Sequence, residues 1–354
     1  MDTEKEIQSK KSPRPLIYDW SPESVAAWVS EQGWPSYVGK QLQEWLGRGV
    51  TNVDEMTNIA KQRRQILAAA FNFNPFDEIK VLRSSEDNTV RMTLRLYDNN
   101  TIEAVGMVYQ NRLSVCISTQ AGCRMGCLFC ASTQAGFARN LTHGEMLQQV
   151  YAVGRQYEQP VTHVVLMGIG EPFANYNEVI RLLKTLNDPR YLNLSQRRLT
   201  VSTCGLVPMM IKFAREGLAV NLAVSLHAAD NELRSRLMPV AAKYGLPELM
   251  RACRDYVKTT GRRITFEYAL FAGVNDRLRD VKALADLLDG LLCHVNLIPG
   301  NSVPGSDLRG SSMAKAREFH GYLQTKGIAC TIRRSLGRDI AAACGQLRRE
   351  VEDE

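Results

Sequence analysis

The chain has 354 residues, 45% of them hydrophobic and 23% charged, which suits a barrel of roughly 200–250 residues plus an appendage and excludes a mainly disordered protein. The net charge is +7, with clusters at Lys61-Gln62-Arg63-Arg64, Arg197-Arg198, Arg333-Arg334 and Arg348-Arg349. Single basic pairs are ordinary solvated surface, but their sum favours a polyanionic partner, because each cation that neutralises a phosphate releases counterions. No apolar run approaches ~18 residues, so no membrane span is expected. The odd count of nine cysteines argues against a secreted disulfide framework, and a cytoplasmic location follows as the expectation.

Residues 1–14 are polar and are expected as a disordered tail. A helical accessory domain is expected over 15–80. Ser21 and Pro22 supply an N-cap and a first-turn proline before Val25-Ala26-Ala27-Trp28-Val29. Further helical stretches cover Tyr37–Arg48 and Asn58–Phe71. A β connector is expected over 81–110, where Thr89–Tyr97 and Ile102–Tyr109 flank the turn-like Asp98-Asn99-Asn100.

From 111 to 350 short apolar runs alternate with amphipathic stretches. The strands expected are Leu113–Ser118, His163–Met167, Arg198–Ser202, Val220–Ser225, Ile264–Leu270, His294–Ile298 and Ala329–Arg333. Helices are expected between them, at Thr142–Gln156, Tyr176–Leu186, Val207–Glu216, Leu246–Thr259 and Arg277–Leu288. Repeated βα units imply an α/β fold with a parallel sheet, open or curled into a barrel. The unusual polar residues follow the strands, where barrel enzymes carry their chemistry.

The sharpest signal is Cys123-Arg-Met-Gly-Cys127-Leu-Phe-Cys130. Three thiolates on one loop can hold a [4Fe–4S] cubane and leave its fourth iron open to S-adenosylmethionine (SAM). A structural zinc site normally wants four ligands, and no fourth Cys or His stands at finger spacing. A redox Cys-x2-Cys leaves the third cysteine unexplained. Gly168-Ile-Gly170-Glu171-Pro172 is weak alone. It does not fit a dinucleotide fingerprint, but its carboxylate can meet a ligand's ammonium group. Cys253, Cys293 and Cys330 sit among apolar residues and read as small buried hydrophobes. By spacing alone Cys116 and Cys344 also read as structural.

Six runs in register carry a resemblance: VCISTQAGCRMGCLFCASTQAGFARNLT, MGIGEPFANYNEV, TVSTCGL, VSLHAADNELRSRLMP, HVNLIPGN and AACGQL. Together they resemble the RlmN/Cfr family of radical SAM RNA methyltransferases, and within it the RlmN branch, over roughly residues 20–350. The resemblance implies a partial (βα)6 barrel with a small N-terminal helical accessory domain. It implies Cys123, Cys127 and Cys130 as cluster ligands. Gly170, Glu171, Ser202, Ser225, Leu226, His227 and Asn301 become SAM contacts. Cys344 becomes the methyl carrier, Cys116 its partner in a transient disulfide, and Glu103 a proton acceptor, although Glu103 also reads as an ordinary strand carboxylate.

Two SAM molecules per turnover are implied, with an electron donor such as flavodoxin or ferredoxin. The implied substrate is an adenosine of 23S rRNA in the peptidyl-transferase region, methylated at C2, and in some members the adenosine 3′ of the tRNA anticodon. A Cfr-like C8 methyltransferase uses the same cysteines. A non-catalytic RNA-binding or assembly factor with a structural metal site is the reading from another class. Two positions depart from the common family pattern: Ala341 stands where Asp is frequent, and Cys204 where Ser is usual.

Overall fold

The computed structural model describes residues 14–110, 112–301, 303 and 305–348. Of the expected tail only Arg14 lies within them, and residues 349–350 of the expected core lie outside. The chain opens with three short helices, α1 (Pro22–Glu31), α2 (Ser36–Gly47) and α3 (Lys61–Ala70). Ser21 caps α1 by accepting from Ser24 N–H at 3.1 Å, with Pro22 in the first turn. Val25, Val29, Val38, Leu42 and Leu46 are buried along the inner helix faces.

Three strands follow, β1 (Phe76–Arg83), β2 (Val90–Leu96) and β3 (Thr101–Tyr109). They run antiparallel, and β3 pairs antiparallel with β4 (Arg112–Cys116). In β2, Val90, Met92, Leu94 and Leu96 are buried and the residues between them are not, the period-two pattern of a half-buried strand. A separate hairpin joins β5 (Gln120–Gly122) to β6 (Phe137–Asn140).

The rest alternates: α4 (His143–Gly154), β7 (Val161–Leu166), α5 (Tyr176–Asn187), β8 (Leu199–Thr203), α6 (Val207–Ala214) and β9 (Asn221–Ser225). Then come α7 (Asn231–Leu237), α8 (Leu246–Thr260), β10 (Ile264–Leu270), α9 (Leu278–Leu288), β11 (Cys293–Pro299), α10 (Met313–Thr325) and β12 (Cys330–Ile332). The sheet order is β1-β2-β3-β4-β7-β8-β9-β10-β11-β12, and all neighbours from β4 to β12 are parallel. Among the described residues β12 does not pair with β4, so the barrel is partial: six βα units and a closing strand, with β1–β3 extending its first edge. All seven expected strands of this region form, with ends shifted by a few residues. Not foreseen were α7, α10, β1 and the β5–β6 hairpin.

The helical module is fastened to α4. Tyr151 Oη donates to Gly47 O at 2.8 Å, Gly144 N–H to Asp19 Oδ1 at 2.7 Å, and Arg155 Nη1 to Gly49 O at 3.1 Å. On the opposite wall Arg234 of α7 is fully buried. It donates to Cys204 O at 2.8 Å, Leu226 O at 3.2 Å and Ser225 O at 3.3 Å, tying together the ends of β8 and β9. No carboxylate is drawn into this contact, and strand-end carbonyls solvate the cation. Arg234→Met strips those carbonyls of their donor in a dry site. It is expected to lower unfolding free energy by about 3 kcal/mol or more, read from the urea midpoint with the circular dichroism spectrum retained.

Candidate active site

A cavity of about 970 Å³, its open mouth included, lies at the C-terminal ends of the parallel strands. One wall is the cysteine loop, clasped at its base by the β5–β6 hairpin. Cys123 N–H donates to Gly136 O at 3.2 Å, Cys130 N–H to Cys127 O at 3.1 Å, and Leu128 N–H to Leu237 O at 3.0 Å. Gly122, at φ +80°, makes the clasp possible, because a Cβ there would stand 1.8 Å from Gly136 O.

Cys123, Cys127 and Cys130 all line this cavity. Burial pushes the Cys123 thiol up to about 12 and raises Cys127 and Cys130 as well. Thiols held protonated this way become thiolates only against the charge of a metal centre. Among the described residues no three His, Cys, Asp or Glu side chains gather closely enough to hold a single ion. Four sulfurs around one zinc would stand ~3.8 Å apart. Three thiols spread along a cavity wall suit a cubane, in which each takes a different iron.

The facing wall holds the second motif. Glu171 is 3% exposed, and burial raises its pKa. Its Oε1 accepts from Phe173 N–H at 3.0 Å and its Oε2 from Cys204 N–H at 2.8 Å, so its orientation is fixed. Gly170, Glu171, Ser202, Ser225, His227 and Asn301 line the cavity. The Leu226 side chain does not; it is fully buried in the barrel core. His227 is drawn down to about 3 by burial and stays neutral. Its Nδ1 accepts from Ala269 N–H at 2.9 Å, which leaves the ring proton on Nε2.

A smaller cavity adjoins the first, and the two share Met167, Ile298, Asn301, Arg333 and Cys344. Cys116 opens only into the smaller one, where burial and the neighbouring Cys344 push it up to about 12. Topology thus brings Cys344 to the junction of the cluster-loop cavity and the Cys116 cavity. Both thiols are free, so the disulfide implied by the resemblance is not formed in this structure, and none is formed among the described residues.

The Cys344 segment is irregular, and side chains from elsewhere hold it. Asn301 Nδ2 donates to Cys344 O at 3.0 Å, Ala131 N–H to Gly345 O at 2.7 Å, and Ser132 Oγ to Leu347 O at 2.7 Å. Gly345, at φ +83°, lets the segment approach the cluster loop, since a Cβ there would stand 2.8 Å from Phe129 O. Glu103 is fully buried on β3 and lines neither cavity. Its carboxylate takes Arg91 of β2 as an ion pair and accepts from Arg348 N–H at 2.9 Å, while Arg91 Nη1 donates to Ile340 O at 3.0 Å. No motif announced Arg91 or Glu267; Arg234 lies within the run VSLHAADNELRSRLMP and Arg333 in the Arg333-Arg334 pair, but neither was given a role. Arg333 lies beside Cys344, 3.7 Å from Glu267 Oε2, and these groups and Cys116 hold it in its charged form.

Ala341 sits at φ +50°, a region that costs an alanine roughly 1–2 kcal/mol and that Asn or Asp tolerates better. Ala341→Asn is therefore expected to stabilise the segment by about 1 kcal/mol, seen as slower amide hydrogen exchange over residues 337–348 with the barrel unchanged.

A family model described as the Radical SAM superfamily matches residues 117–288. A protein of Alkaliphilus oremlandii, named "Probable dual-specificity RNA methyltransferase RlmN", is 47% identical over 91% of this chain and 94% of its own. A protein of the same name from Bacillus licheniformis is 43% identical over 100% of this chain and 99% of its own. The crystal structure of a radical SAM methyltransferase from Sphaerobacter thermophilus superposes with a TM-score of 0.91 at 42% identity, covering 94% of this chain and 99% of that one. With relatives of 43–47% identity and a superposing fold over nearly the whole length, the chain belongs to the RlmN family of radical SAM methyltransferases.

Proposed function

We propose that the chain methylates C2 of an adenosine in 23S rRNA, and the adenosine 3′ of the tRNA anticodon, using Cys344 as the methyl carrier. The carrying observation is the position of Cys344, at the junction between the cavity of the three loop cysteines and the cavity of Cys116. The dual-specificity RNA methyltransferase name of the relatives supports the substrate class.

In this reading Cys123, Cys127 and Cys130 hold a [4Fe–4S] cluster, and Gly170, Glu171, Ser202, Ser225, His227 and Asn301 seat SAM. Leu226, also carried by the resemblance, lines neither cavity, and its backbone N–H and C=O are taken by Glu267 O and by Ala228 N–H with Arg234. Bound together, cluster and SAM supply an electron and a 5′-deoxyadenosyl radical able to take a hydrogen atom from a methyl group held nearby. Adenine C2 is electrophilic, so a methyl cation equivalent does not alkylate it directly. The Cys344 thiolate is a good nucleophile and takes the methyl of a first SAM as S-methylcysteine. It then holds the one-carbon bridge to C2.

Cys116 resolves that bridge. Its thiolate sulfur attacks the Cys344 sulfur, and the S–S bond forms as the C–S bond breaks; the C2 proton passes to a base, the freed bridge carbon takes up a proton to become the methyl group, and the adduct's unpaired electron leaves to a redox carrier. A flavodoxin- or ferredoxin-type donor supplies the electrons, and thiol exchange resets the pair. Glu103 serves as that base only after the segment 340–348 lets go, because Arg91 and Arg348 N–H occupy its carboxylate. Basic surface residues bind phosphate, and the target adenine leaves its stack to enter.

Nucleoside mass spectrometry of rRNA and tRNA treated separately is expected to yield 2-methyladenosine. 8-Methyladenosine instead would favour the Cfr-like chemistry, and an iron-free, SAM-inert protein would favour the non-catalytic reading. Cys116→Ala is expected to accumulate a covalent protein–RNA adduct through Cys344, seen as a shifted band on a denaturing gel. The adduct disappears in Cys116→Ala/Cys344→Ala; normal turnover by the single variant excludes the resolving role.

A further inference from the structure

Glu267 belongs to none of the sequence motifs, yet it lines the main cavity and is 4% exposed. Its Oε1 accepts from Asn296 Nδ2 at 2.9 Å, and Asn296 Oδ1 accepts from Thr331 Oγ1 at 2.9 Å. This relay across β10, β11 and β12 fixes the rotation of the carboxylate. Its other oxygen, Oε2, has no hydrogen-bond partner. Arg333 Nη1 stands 3.7 Å from it, which is beyond hydrogen-bond length. A buried carboxylate oxygen without a donor is costly, and its natural complement is an N–H or O–H brought in by a ligand.

We propose that Glu267 and Arg333 read the target adenine, with Glu267 Oε2 accepting from its 6-amino group and the Arg333 guanidinium donating to ring N1. The inference rests on the proposed function and names the recognition chemistry of the same site. The order of groups along the wall carries it. Glu267 Oε2 is followed by Arg333, which lines both cavities, and then by Cys344 at their junction. Along the edge of adenine the order is amino group, N1, C2. Acceptor, donor and carbon carrier on the protein therefore face donor, acceptor and reacting carbon on the base.

Guanine reverses both partners: its 6-carbonyl meets the carboxylate and its N1–H meets the guanidinium. Such a pair rejects guanine because the buried groups on both sides stay unpaired. SAM also carries an adenosine, so the same N–H or O–H donors exist in the co-substrate. Arg333 favours the RNA base, because it reaches the Cys116 cavity, where the proposed resolving chemistry acts.

The test gives the cluster-reconstituted enzyme a target RNA hairpin carrying adenosine, purine riboside (no 6-amino group) or 1-deazaadenosine (no N1) at the reacting position. Glu267→Gln is expected to lower kcat/KM on the adenosine RNA roughly 10- to 100-fold and to leave the already slow purine RNA no slower. Arg333→Lys should show the same insensitivity with 1-deazaadenosine. S-adenosylhomocysteine affinity, measured by calorimetry, should be unchanged in Glu267→Gln.

Equal losses on adenosine and purine RNA would overturn the pairing and leave the carboxylate a support of the wall. Weakened S-adenosylhomocysteine binding would overturn it too, by giving Oε2 to the co-substrate. A wild-type enzyme that methylates no adenosine overturns the functional reading itself, an outcome distinct from either. If Glu267→Gln does not fold, Glu267→Asp, which withdraws the oxygen but keeps the charge, carries the same expected pattern.

Discussion

The site depends on how an irregular segment is pinned. Residues 337–348 have no ladder or helix of their own, yet they carry Cys344. Their contacts come from four directions: Asn301 after β11, the cluster loop through Ala131 and Ser132, the β1–β2 turn, and Arg91 with Glu103 on β2 and β3. At that turn Asp339 Oδ2 accepts from Ser85 N–H at 2.9 Å, and Asp87 Oδ2 accepts from Gly337 N–H at 2.9 Å. Ordering a backbone costs about 1–2 kcal/mol per residue, and a typical hydrogen bond returns about 0.5–1.5 kcal/mol. Hydrogen bonds alone fall short of that cost. The burial of Ala342 and Leu347 against Val105, Cys116 and Ile169 supplies the remainder.

The antiparallel extension gains meaning from this constraint. Without β3, the first barrel strand would present an open edge. β3 covers that edge and sets Val105 opposite Cys116. It also buries Glu103 where the C-terminal segment can reach it, and β2 adds Arg91 one strand farther out. An isolated carboxylate at 0% exposure would be protonated or unstable, and the guanidinium makes its charge tolerable. The extension therefore helps hold the Cys344 segment as well as covering the barrel edge.

Much of the barrel was legible because its strands are buried on both faces and read as continuous apolar runs, such as Val220–Ser225 and Ile264–Leu270. β1 was not, because Phe76–Arg83 is mostly exposed and mixes charge with apolar residues without a clean period. The helix α7 is short and polar, and α10 buries only Ala316, Phe319 and Leu323. The cluster loop was legible because its ligands are close in sequence. Cys116 and Cys344 were not, since only the closing of the sheet brings them together; the family resemblance supplied what spacing could not. Arg91 and Glu267 leave no local pattern, and Arg234 and Arg333, though they lie in a quoted run and a basic pair, carry no local sign of what they hold, because their partners are far away in the chain.

The two departures from the family pattern differ in physical weight. At Cys204 the backbone N–H donates to Glu171 Oε2 at 2.8 Å, and the thiol hydrogen-bonds the same carboxylate. The buried thiol is raised well above its usual range, by desolvation first and by Glu171 next. Ala341 is different, because its side chain cannot relieve a left-handed backbone as the amide or carboxylate of Asn or Asp can. Strain of this kind, three residues before Cys344, weakens the packing of the segment without touching either cavity, so this departure bears on how Cys344 is held.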